Sequence, residues 1–90
     1  MRGRTTQESA ETMALNVLGF LADSPENLER FMTQSGTDLS TIRKRAGDRD
    51  FLVAVMDFLM ANEALLVDFC QTTETDPKAV QMANHVLGGA

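Results

Sequence analysis

The sequence predicts an all-α protein of about six short helices. Three observations predict it. Apolar residues recur at three- and four-residue spacing along most of the chain, capping residues with Pro or Gly interrupt that pattern at intervals, and strand-like alternation is nearly absent.

The first helix runs from about Gln7 to Ala22, with Ala10, Met13, Ala14, Val17, Leu18 and Leu21 on one face and Thr12, Asn16, Gly19 and Asp23 opposite. Ser24 then precedes Pro25: a hydroxyl accepts from the first unpaired amides, and a residue lacking an N–H fills the first helical position. Leu28, Phe31 and Met32 give the second helix its inner face, and Gly36 ends it. Asp38 caps a short third helix that turns Leu39, Ile42 and Ala46 inward before Gly47. Asp48 caps a fourth helix reaching about Ala61, with Phe51, Leu52, Val55, Met56 and Leu59 inside. Asn62 caps a fifth, anchored by Leu65, Leu66, Phe69 and Cys70. Asp76-Pro77 opens the sixth, where Ala79, Val80, Ala83, Val86 and Leu87 recur before Gly88-Gly89.

The two halves align without a gap at an offset of 38 residues. Between residues 17–47 and 55–85 there are seven identities in 31 positions: Val17/Val55, Phe20/Phe58, Leu21/Leu59, Leu28/Leu66, Phe31/Phe69, Thr37/Thr75 and Asp38/Asp76. Ordinary composition gives roughly two by chance. Leu18/Met56, Ser24/Asn62, Met32/Cys70 and Ile42/Val80 are conservative pairs at the same offset. Matched amphipathic phase explains apolar coincidences but not capping residues at the same offset. The expected organisation is therefore a tail over residues 1–9, one helical domain over 10–87 made of two similar three-helix units (10–47 and 48–85), and a tail over 88–90. A unit of 38 residues is too small to close a core alone, so the two are expected to pack together as one domain.

Composition narrows the function classes. Ninety residues with 8 Lys plus Arg against 13 Asp plus Glu carry a net charge of −5, which disfavours a free-standing nucleic-acid binder. The first 47 residues hold six of each sign and the remaining 43 hold two basic and seven acidic, so the whole excess lies in the second half. Phe51 to Met56 is the longest apolar run, far short of a bilayer span, and Glu8, Glu11 and Asn16 interrupt any signal-peptide core. With Cys70 as the sole cysteine, a reducing, cytoplasmic setting is expected, with no membrane association.

Catalytic chemistry has few residues to work with. Cys70 and His85 are the sole members of their types, but Cys70 shares a helix face with Leu66 and Phe69 and reads as a small buried hydrophobe. His85 suits the carbonyl end of the sixth helix. The carboxylate pairs Asp48/Asp50 and Glu74/Asp76 fall at helix starts, where capping explains them. No calcium loop follows Asp48, and the glycines are too scattered to cradle phosphate. The expectation is no enzyme activity, no cofactor and no metal.

Arg43-Lys44-Arg45 with Arg49 is the sharpest polar feature, a candidate interaction corner. It lies in a stretch, residues 28–47, that resembles a helix-turn-helix with Gly36 at the turn, so nucleic-acid binding through Ser40, Arg43 and Lys44 is the alternative reading. The absence of Trp and Tyr argues against base stacking. Charge asymmetry favours protein partners, including a second copy whose acidic half meets the basic third helix. Met60, near the polar stripe of the fourth helix, and the adjacent Leu65 are candidates for an adaptable apolar contact.

The segments ETMAL (11–15), LGFLA (18–22), Leu28 to Phe31, RKRAGD (43–48) and DFLMANEALL (57–66) resemble the short alphaproteobacterial proteins grouped as domain of unknown function 3572. The resemblance spans roughly Gln7 to Leu87 and implies a bacterial, cytoplasmic helical protein with no assigned activity. Leu39 stands where a proline is expected after Asp38, as after Asp76. Taken together, the sequence points to a non-enzymatic protein-interaction or regulatory module.

Overall fold

The structure, a computed structural model, describes residues 6–88. These form six α-helices and no strand: α1 (Gln7–Ala22), α2 (Pro25–Ser35), α3 (Leu39–Arg45), α4 (Arg49–Ala61), α5 (Glu63–Thr73) and α6 (Pro77–Leu87). None is long and apolar enough to cross a membrane. Residues 7–9, assigned above to a tail, are the first turn of α1; residues 1–5 and 89–90, with the Gly89 stop, lie outside the described residues.

The helix starts follow local chemistry. Thr6 and Ser9 cap α1 reciprocally, the Ser9 N–H donating to Thr6 Oγ1 at 3.1 Å and the Thr6 N–H to Ser9 Oγ at 2.9 Å. Ser24 accepts from the Asn27 N–H at 3.4 Å, Asp38 from the Thr41 N–H at 2.8 Å, and Asp76 from the Lys78 N–H at 2.9 Å. Two expected caps are not made. Asp48 turns its carboxylate to Arg45 instead, and the Asn62 amide donates to the Phe58 carbonyl at 2.7 Å, so α4 and α5 begin without a side-chain cap.

Gly36 ends α2 at φ 69°, where a Cβ would crowd the backbone. Glu74 ends α5 in the same left-handed region, at φ 53°. Behind each, an amide reaches back five residues, Thr37 to the Met32 carbonyl at 3.0 Å and Thr75 to that of Cys70 at 2.9 Å. Both Ser35 Oγ (to the Phe31 carbonyl, 2.6 Å) and Thr73 Oγ1 (to that of Phe69, 2.7 Å) donate within the last turn. All these bonds recur at an offset of 38.

The core sits where α1, α4 and α6 pack on one another, with α2 laid against α1 and α4, and α5 against α4 and α6. Val17, Leu21, Val55, Leu59 and Val80 are fully buried at its centre. Ala10, Ala14 and Ala83 are likewise enclosed, on the closely packed pair α1 and α6. Phe31 and Phe69 carry α2 and α5 onto this frame, each burying a whole aromatic ring. By contrast, α3 packs extensively on no other helix and is held by Ile42 alone among its buried residues. Leu39, expected inside, is 50% exposed: Ile42 faces the core, and on so short a helix a residue three positions earlier gains little cover.

Candidate functional site

The basic corner divides into tied and untied cations. Asp38 opens α3, and the Thr41 N–H bonded to its carboxylate holds its pKa below the ordinary carboxylate range. Arg43, Lys44 and Arg45 fill the last turn, where positive charge complements the helix's carbonyl end. Arg45 is engaged: its guanidinium meets Asp48 Oδ2 at 3.1 Å across the α3–α4 bend. Arg49 Nε donates to the Leu87 carbonyl at 3.2 Å, joining the start of α4 to the end of α6. Arg43 and Lys44 are exposed and have no ion-pair partner among the described residues. Helical spacing places Leu39 one turn before Arg43 and Ser40 one turn before Lys44, so α3 presents a mixed apolar and cationic face.

The apolar pair Met60 and Leu65 does not form an exposed contact. Leu65 is only 7% exposed and belongs to the core, and Met60 is half-buried against it, because α5 turns its Leu65–Phe69 stripe inward. The large exposed apolar residues are Leu15, Leu39, Val67 and Met82.

Cys70 is buried, and that burial, with Asp76 adding to it, pushes its thiol pKa up and disfavours the thiolate. His85 lies on the exposed side of α6 beside Lys78, Gln81 and Met82, and no hydrogen bond joins it to Cys70. Among the described residues, no group of three His, Cys, Asp or Glu stands close enough to hold a metal.

Two surface clefts escaped the sequence reading. The first, of about 290 Å3, lies between the end of α2 and α4, lined by Gln34, Ser35, Ala54, Asp57 and Phe58. The second, of about 490 Å3, lies between α1 and the end of α5. Its α1 wall is Leu15, Asn16, Gly19, Phe20 and Asp23, and its α5 side is Phe69 with Thr72, Thr73 and Thr75 just beyond. Shifting the five lining residues of the first by 38 lands on Thr72, Thr73, Asn16, Gly19 and Phe20, all in the second. The signal was present in the offset, but joining α1 to α5 and α2 to α4 needs the three-dimensional arrangement.

A family model described as "Protein of unknown function (DUF3572)" matches residues 7–90. No curated protein and no solved structure matches the chain.

Proposed function

The chain belongs to the DUF3572 family of proteins of unknown function, and from that premise we propose that it is a non-enzymatic protein-interaction module, regulatory in role, whose α3 face receives an acidic partner surface. The observation that carries this reading is the pairing state of the corner: Arg45 and Arg49 are occupied within the fold, whereas Arg43 and Lys44 stand exposed beside the half-exposed Leu39. A cation pair flanking an apolar side chain offers a partner both a steering charge and an anchor. The recurrence of caps and core positions at an offset of 38 supports two related three-helix units, 10–47 and 48–85, as the frame that carries this face. A single buried thiol suits a reducing cytoplasm.

The helix-turn-helix alternative over residues 28–47 is less well supported by charge placement. A recognition helix leads into the groove with its N-terminal residues. Here that end bears the ionised Asp38, facing like-charged phosphates, and the cations sit in the last turn of a seven-residue helix.

Titrating the isotope-labelled full chain with a short polyglutamate peptide, and separately with random duplex DNA, tests the proposal. The expected result is amide shifts that include Leu39–Arg45 with the peptide, weakened by salt and by the pair Arg43→Glu and Lys44→Glu. Salt-sensitive DNA binding through the same residues, with no response to the peptide, would overturn it in favour of the alternative.

A further inference from the structure

The second cleft carries features that the fold itself does not require. Gly19 sits in the interior of α1, without the left-handed backbone that Gly36 shows. A Cβ built there meets nothing within 4 Å. An interior glycine weakens a helix relative to alanine, so its presence costs stability without relieving any internal crowding. What it does is leave bare backbone on the cleft wall, where the counterpart position in the first cleft carries Asp57. The second cleft encloses about 490 Å3 against 290 Å3 for the first.

The charge around it has one sign. No cation lines the cleft; Asp23 is on its wall, and Asp68 accepts from Thr72 Oγ1 at 3.4 Å at its edge. Neither carboxylate has an ion-pair partner among the described residues. Leu15, 44% exposed, and the partly covered Phe20 supply apolar surface between them. The α3 face is its complement in charge: packed extensively on no other helix, it carries Arg43 and Lys44 without ion-pair partners among the described residues and exposes Leu39.

We infer that the α1/α5 cleft receives α3 of a second copy of this chain, Leu39 seating against Leu15 and Phe20 while Arg43 and Lys44 reach Asp23 and Asp68. Gly19 lets the incoming helix approach the α1 backbone closely. Two such contacts, made reciprocally, close a two-fold dimer. This rests on the reading of α3 as a contact face and names both its partner and the receiving surface.

Sedimentation equilibrium of the full chain at low salt is the test. The expected result is a concentration-dependent dimer that dissociates as salt rises. Asp23→Lys alone, or Arg43→Glu with Lys44→Glu, weakens it at least tenfold, while circular dichroism shows the fold intact because all three side chains are exposed. Mixing an Asp23→Lys/Asp68→Lys chain with the Arg43→Glu/Lys44→Glu chain restores a heterodimer, since one contact then keeps the native pairing and the other reverses both of its charges. A chain that stays monomeric throughout, or a dimer indifferent to Asp23→Lys and without rescue in the mixture, overturns the inference. If polyglutamate still shifts Leu39–Arg45 in a monomeric chain, the α3 reading survives and only the second copy is excluded.

Discussion

Phe20 packs edge-on against Phe69, ring centroids 5.4 Å apart, and their counterparts 38 residues away, Phe58 and Phe31, pack edge-on at 5.3 Å with the halves exchanged. The first-helix ring of each half thus meets the second-helix ring of the other. Reciprocity of this kind is what the proposed pair of related three-helix units would produce. It also explains why the two clefts are counterparts: each is built by the first helix of one half and the second helix of the other.

Counterpart rings are expected to carry similar energies. Phe31→Leu and Phe69→Leu should each destabilise the fold by about 1–3 kcal/mol, since each ring is fully enclosed and the substitution leaves a void. Urea unfolding monitored by circular dichroism checks this. A loss at one position with none at the other would separate the halves energetically.

The two left-handed helix ends predict effects of opposite sign. Gly36→Ala places a Cβ at φ 69° and should destabilise by ~1 kcal/mol, whereas Glu74→Gly relieves φ 53° and should stabilise by ~0.5–1 kcal/mol. Thermal melts of the two variants beside the parent chain read both signs in one experiment.

Gly19→Ala should raise stability by ~0.5–1 kcal/mol, because the added methyl enters open space and α1 loses an interior glycine. The same change narrows the cleft, so the melting temperature, read at a concentration low enough for the monomer to dominate, should rise while self-association at higher concentration weakens. A purely structural glycine would not move the two readouts in opposite directions.

Asp38 gives a pH dependence with a definite sign. Its carboxyl pKa is lowered in the folded chain by the Thr41 amide, so its stabilisation of α3 is complete above the unfolded-state value and disappears as pH falls through the folded value. Asp38→Asn keeps an acceptor at the cap but does not titrate. The stability difference between parent and variant should therefore be constant near neutrality and shift in the direction of the variant in acid, as urea titrations at the two pH values would record.

Cys70 should react with a thiol-specific disulfide reagent far more slowly in the native chain than in denaturant. Burial both shields the sulfur and disfavours the thiolate. Equal rates in the two states would contradict its placement on the inner face of α5.

Most of the helical plan could be read from the sequence because it is set locally. Ser24-Pro25, Gly36, Asp38 and Asp76-Pro77 act on amides and carbonyls a few residues away, and the helix boundaries follow them. Where a capping residue had a competing local partner, the pattern misled: Arg45 takes Asp48, and the Phe58 carbonyl takes Asn62. Two readings of burial at the ends of periodic stripes conflict with the structure, Leu39 as an inward residue and Leu65 as a contact residue, whereas Leu65 as an anchor of α5 agrees with it. Leu39 has the right spacing but lies on a helix with little around it, while Leu65 adjoins the half-buried Met60 and is itself enclosed by the core. The corner of four cations was visible as a run, but whether each was occupied depended on the Leu87 carbonyl and the Asp48 carboxylate, one of them 38 residues distant.

Amide chemical shifts of the labelled full chain, followed on dilution at low salt, test the central claim most directly. If α3 is a contact face and the α1/α5 cleft receives it, Leu39–Lys44 and Leu15–Asp23 with Thr72 should move together with one concentration dependence. Shifts that do not change with concentration, or that change only outside those two sets, would contradict it.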